Sequence, residues 1–124
     1  MNKWLGLAVG GVLGTFARYA LAGLVYRVLG TNFPYGTMVV NLLGCFLVGL
    51  FATLADEKFL LGPEARMLLM IGFCGAFTTF STFILESANL LRDGEVIQAF
   101  VNVVGSVVVG FIVFWMGSLV AKLI

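Results

Sequence analysis

Residues 72–83 read GFCGAFTTFSTF, and this stretch decides the fold. Four phenylalanines (Phe73, Phe77, Phe80 and Phe83) are interleaved with three threonines and a serine behind Gly72 and Gly75. At ~100° per residue a continuous helix would gather the four rings into a stripe about 120° wide, with Thr78, Ser81 and Thr82 at its edge. A helix that only faced lipid would use leucine and valine. Hydroxyls clustered this closely bond backbone carbonyls and bend or open a helix. The glycines allow close approach or local unwinding. The stretch therefore predicts a helix bent or opened near its middle, and carbonyls freed by such a break would be able to hold a cation.

The rest of the chain places that break in a membrane. Of 124 residues 61% are hydrophobic and only 10% are charged, against roughly 25% charged in a soluble domain. Mean hydropathy is +1.12. This composition defines an integral membrane protein, in which opened backbone is tolerated only where it lines protein or a cavity. A net charge of +1 argues against a nucleic-acid partner. There is no histidine, and Cys45 and Cys74 both lie in apolar runs. They read as small packing groups rather than as a disulfide or metal pair. With no metal set and no nucleophile beside a base, the chain is not expected to be an enzyme. The first apolar run continues well past the length of a signal-peptide core, so it reads as a retained span.

Four runs reach the ~20 residues that a spanning helix needs: about Trp4–Leu29, Gly36–Ala55, Met67–Leu91 and Val96–Ala121. The connections GTNFPYG, DEKFLLGPEAR and RDGE carry the turn and charge signals, and both prolines, Pro34 and Pro63, fall in them. Long apolar runs without alternation exclude a barrel. No repeat or linker divides the chain, so residues 1–124 form a single four-helix transmembrane domain. Gly6, Gly10 and Gly14, four apart, mark a face for close backbone packing, either within one subunit or between two. Gly44, Gly49, Gly105 and Gly110 add further contact points.

Four helices make a thin wall around an aqueous path, which favours a homodimer. With the N-terminus inside, Lys3, Lys58, Arg66 and Lys122 are cytoplasmic and Arg27 and Arg92 are outside. That is a weak positive-inside bias, and it permits antiparallel insertion of two identical chains.

Polar groups at membrane depth are functional candidates by default. Arg18 stays charged, and is read first as a structural cation that snorkels or pairs with helix carbonyls or with Glu86, and second as a charge that attracts anions to a vestibule. Asn41, in GTMVVNLLG, offers two N–H donors and one acceptor. It serves either an interhelical hydrogen bond or a passing anion. Glu86 suggests either a proton-coupled antiporter or a pore-side acid. Asn102 and Ser106 are the polar groups of the fourth span. Aromatic rings carry a positive edge, so ring edges with amide and hydroxyl donors would make a narrow anion path. On spacing alone the rings read first as packing.

GTMVVNLLG together with GFCGAFTTFSTFxxE, at this spacing in a four-span chain, resembles the Fluc (CrcB-type) fluoride channels, and the resemblance covers essentially the whole chain. It implies a dual-topology, antiparallel homodimer in the cell membrane, the bacterial inner membrane by expectation. Such a dimer exports fluoride passively through two narrow pores and rejects chloride. It also implies a structural sodium ion on the twofold axis, held by backbone carbonyls at the break in the third span.

By the same resemblance Phe80 and Phe83 match the pore phenylalanines and Asn41 the pore asparagine. Ser81 and Thr82 match the adjacent hydroxyl positions, and Glu86 an acid near one pore end. Gly75 and Thr78 match the positions whose carbonyls hold sodium, and Arg18 the basic residue late in the first span. Asn102 and Ser106 fall on the polar side of the fourth span, where Val109 and Gly110 supply no further hydroxyl. Phe73 and Phe77 fall outside the pore pair and read as packing. The rival reading is a small dual-topology multidrug exporter coupled to protons, although its first span should then carry an acid. A transport-inactive assembly subunit is the third reading.

Overall fold

The computed structural model describes residues 2–124. Among them all regular structure is helical. Four helical segments are long and apolar enough to cross a membrane: Lys3–Leu29, Tyr35–Asp56, Pro63–Arg92 and Val96–Leu123. Asn2 caps the first, its Oδ1 accepting from the Trp4 amide at 2.8 Å. Gly30 (φ 88°) ends that helix, and Gly94 (φ 81°) forms the turn before the fourth. Only glycine enters this left-handed region without cost.

The largest departure from the expected boundaries is the start of the third span. It begins at Pro63 rather than near Met67, so Pro63 belongs to the helix and not to the connection. Proline suits the first helical turn, where its missing N–H has no partner to lose. The charges that made this segment look like a loop are used locally. Arg66 donates to the Ala55 carbonyl at 3.0 Å and pairs with Asp56 at 2.9 Å, fastening the third span to the end of the second.

The third span is two helical limbs. The first, residues 63–77, includes a π-helical stretch at Met67–Cys74. Thr78 then turns extended (φ −95°, ψ 161°). Helix resumes as the second limb, Ser81–Arg92. The expected break is present, and it removes the expected stripe of four rings. Resetting the helical phase at residues 78–80 separates the phenylalanines into two pairs. Phe73 and Phe77 stack at 5.5 Å, whereas Phe80 and Phe83 meet tilted at 6.0 Å.

Close backbone contact holds the bundle together, as expected where lipid supplies no hydrophobic drive. The first helix packs on the first limb, and the second helix packs on the fourth. Gly6, Gly10 and Gly14 are the buried residues of the first helix. A Cβ at Gly10 or Gly14 would run into the backbone of Leu68 or Phe73, so this face packs within the subunit. Gly49 and Gly117 play the same part between the second and fourth helices, against the carbonyls of Phe114 and Phe46. A Thr53–Ser118 hydroxyl pair at 2.6 Å joins them there. The second limb packs mainly on the fourth helix and lightly on the second. Cys74 is buried and Cys45 half-buried, both as free thiols.

Candidate functional site

The break creates an accounting problem that the neighbouring helices solve. Once Thr78 leaves the helix, the following peptide groups lose their helical partners, and unpaired backbone at membrane depth is expensive. Asn41 of the second helix supplies both replacements. Its Oδ1 accepts from the Thr79 amide at 2.8 Å and its Nδ2 donates to the Thr79 carbonyl at 3.0 Å. Thr78 folds back onto the Cys74 carbonyl through its amide at 3.1 Å and its hydroxyl at 2.9 Å. Thr79 Oγ1 accepts from the Thr82 amide at 3.3 Å, capping the second limb. Arg18 Nε donates to the Ala76 carbonyl at 3.0 Å, so of its possible partners it takes a helix carbonyl. The carbonyls of Gly75 and Thr78 take part in none of these bonds.

In front of the break lies an open cleft of about 460 Å³. Its wall combines Asn41, Thr78, Thr79, Phe80, Phe83 and Ser106 with apolar side chains of the second and fourth helices, Phe111 among them. Phe80 is 74% exposed here, in contrast to Phe77 of the other ring pair, which is 3% exposed and packs in the core. Asn41 still has a second N–H, and Ser106 Oγ is buried without a hydrogen-bond partner. The cleft thus pairs ring surface with uncommitted polar donors. Gly44 keeps it open beside the break, since a Cβ there would overlap the Thr78 methyl.

The other candidates stand elsewhere. Glu86 accepts hydroxyl hydrogen bonds on both oxygens, from Tyr26 at 3.3 Å and from Thr37. It borders a second cleft of about 350 Å³, with Tyr26, Asn32, Asn89 and Asp93 on its wall. Ser81 is exposed and Thr82 half-buried on the second limb, outside the lining of the main cleft. Asn102 is 1% exposed and donates to Ser87 rather than facing the cleft. Gly75 lies at the surface with open space where a side chain would be.

The structure therefore gathers Asn41, Thr78, Phe80, Phe83 and Ser106, and sets Ser81, Thr82, Glu86 and Asn102 apart from them. Arg18 supports the break from behind. Tyr26 and Thr37 went unread in the sequence. Neither is polar enough to stand out, and each meets Glu86 only across the fold. Among the described residues, no group of three or more His, Cys, Asp or Glu side chains comes together. A cation at the break would rest on backbone oxygen. The uncommitted Gly75 and Thr78 carbonyls fit that need, at a helix end whose carbonyls carry partial negative charge.

A helical bundle with four membrane-length segments and a polar break opening on a cleft defines a multi-pass membrane protein with a site at membrane depth. Residues 5–118 match the family model described as CrcB-like protein, Camphor Resistance (CrcB). The chain is 50% identical over 118 residues to a protein of Solidesulfovibrio magneticus, covering 95% of this chain and 94% of that one. It is 46% identical over 123 residues to one from Opitutus terrae, covering 98% and 93%. It is 47% identical over 122 residues to one from Geobacter sp. strain M21, covering 98% of both. All three relatives are named fluoride-specific ion channel FluC. The chain belongs to the CrcB-like family.

Proposed function

We propose that the protein is a fluoride-selective channel that exports fluoride passively through two narrow pores in an antiparallel homodimer. The observation that carries this reading is the Asn41-braced break, which presents Phe80, Phe83 and the unpartnered Ser106 hydroxyl to one cleft. Fluoride is small and strongly hydrated, so a path must replace its water at each step. The second Asn41 N–H and the Ser106 hydroxyl donate to it, and the positive ring edges of Phe80 and Phe83 stabilise it without trapping it. Larger halides lose more than they gain in so narrow a passage. Glu86, Ser81, Thr82 and Asn102 lie along or beside the way to the membrane surface on this reading.

The second copy follows from the cleft itself. An open wall bearing Asn41, Ser106 and the exposed Phe80 is poorly suited to lipid, because uncompensated polar groups are costly there. Covering it with an identical chain converts each open cleft into an enclosed path. The weak charge bias across the spans suits insertion in both orientations. A sodium ion held by the Gly75 and Thr78 carbonyls would neutralise the carbonyl dipoles that the break leaves unpaired. A proton-coupled exporter is not favoured, since the first helix carries no acid and the relatives bear the fluoride-channel name.

The test is protection in cells. Bacteria lacking their own fluoride exporter and expressing this chain should grow at fluoride concentrations that arrest the parent strain, and the Asn41→Asp variant should not restore growth. Failure of the wild-type chain to protect, at normal abundance in the membrane, would refute the proposal.

A further inference from the structure

We infer that Asn102 is a positioning residue that sets Phe83 through Ser87, and that it does not itself meet the permeating ion. The inference rests on the channel reading above. Asn102 Nδ2 donates to Ser87 Oγ at 2.9 Å, and Ser87 Oγ donates to the Phe83 carbonyl at 2.8 Å. The relay is sealed: Asn102 is 1% exposed, Ser87 6% and Phe83 7%. Neither Asn102 nor Ser87 lines the main cleft, whereas Phe83 does.

The arrangement of the second limb makes this relay consequential. The limb begins at a break, so no continuous helix fixes its rotation or height. It rests mainly on the fourth helix, and the Asn102–Ser87 bond is the one side-chain hydrogen bond between the two among the described residues. The preceding residue, Glu86, ties the limb to Tyr26 of the first helix and Thr37 of the second. Adjacent residues 86 and 87, about 100° apart around the helix, thus tie the limb to different neighbouring helices one turn beyond Phe83. A hydroxyl that bonds the carbonyl four residues back bends its helix slightly. Asn102 selects that rotamer of Ser87 by occupying the acceptor side of the same hydroxyl. Loss of either group frees the limb to rotate on the fourth helix, and the Phe83 ring moves with it.

The experiment compares Asn102→Leu, Ser87→Ala and the double variant in liposomes, recording fluoride and chloride efflux with the wild type beside them. Ser118→Ala, which removes a hydroxyl from the same fourth helix far from the relay, is the control and should conduct as the wild type does. Either relay variant should slow fluoride efflux about tenfold, the effect of losing one strong interhelical hydrogen bond. Each should also lower the ratio of fluoride to chloride efflux, a change that a loss of folded protein does not produce. The double variant should be no worse than the more affected single one, because the two residues act in series.

Multiplying effects in the double variant would overturn the inference. So would wild-type rate and selectivity in Ser87→Ala while Asn102→Leu is impaired, since Asn102 would then act without Ser87. Should Asn102→Leu fail to assemble, Ser87→Ala decides alone, because alanine is the best helix former. Wild-type behaviour in it refutes the relay. A wild-type protein that passes no fluoride refutes the channel reading, and the inference falls with it.

Discussion

Replacing Asn41 with leucine tests how the break is sustained. Leucine keeps the branching of asparagine, is bulkier, and removes its polar groups. Two hydrogen bonds are lost, Thr79 N–H to Oδ1 at 2.8 Å and Nδ2 to the Thr79 carbonyl at 3.0 Å. An ordinary interhelical side-chain hydrogen bond in a membrane protein averages ~0.6 kcal/mol, because partners exist in the unfolded state as well. Two such bonds would cost about 1.2 kcal/mol. The Thr79 pair is not ordinary. Its groups belong to backbone that has left the helix, and stranding a buried donor or acceptor costs about 1–3 kcal/mol each. The expected loss is therefore about 2–6 kcal/mol.

Thr53→Ala supplies the internal reference, since it removes one hydroxyl pair from the same second helix at a cost of about 0.6 kcal/mol. Both variants are unfolded by titrating dodecyl sulfate into mixed micelles, followed by circular dichroism. Asn41→Leu should lose several times what Thr53→Ala loses, and its second limb should exchange amide hydrogens faster. A cost no larger than that of Thr53→Ala would refute the argument that Asn41 carries the backbone of the break.

The remaining predictions concern flux and packing. Phe80→Ile should sharply reduce fluoride flux while leaving assembly intact, which size-exclusion chromatography beside the flux assay would establish; near-normal flux would move the path elsewhere. Gly44→Val should displace Thr78 and slow flux, because even a Cβ at Gly44 overlaps the Thr78 methyl; an unaltered rate would show that the break yields freely. Gly14→Leu should reduce the yield of folded protein, as its side chain must enter the backbone at Phe73; yield in the membrane fraction measures this. Glu86→Gln should retain the hydroxyl contacts of Tyr26 and Thr37 with some rearrangement and leave no dye-transport activity to lose. Transport of a cationic dye by the wild type, abolished in this variant, would favour an exporter.

Much of the fold was legible because a membrane imposes one strong rule, a long apolar run for each span. The second and fourth spans, free of charge until their ends, were placed almost to the residue. The third was misplaced at its start, where Glu64 and Arg66 resembled a loop although Pro63 was a helix-start signal. Clustered Thr and Ser exposed the break, since hydroxyls that compete for carbonyls leave a local trace.

The partners at the site were less legible. Asn41 left two roles open, and the structure gives it the structural one while sparing an N–H for the other. Arg18 to Ala76 and Tyr26 to Glu86 span 58 and 60 residues of chain, a separation that spacing does not encode. The π-helical stretch at Met67–Cys74 has no compositional mark. The Asn102–Ser87 contact was hidden for another reason: Asn102 looked like a polar group awaiting a pore, and its satisfaction by Ser87 appears only once the limb is docked.

The most direct measurement is anion efflux from liposomes containing the purified wild-type protein, loaded equally with fluoride and chloride and opened by a potassium ionophore. Ion-selective electrodes follow the two anions in parallel. A path built from Asn41, Ser106 and the Phe80–Phe83 edges predicts that fluoride leaves quickly while chloride stays behind. Chloride leaving as fast as fluoride, or neither anion leaving, would contradict it.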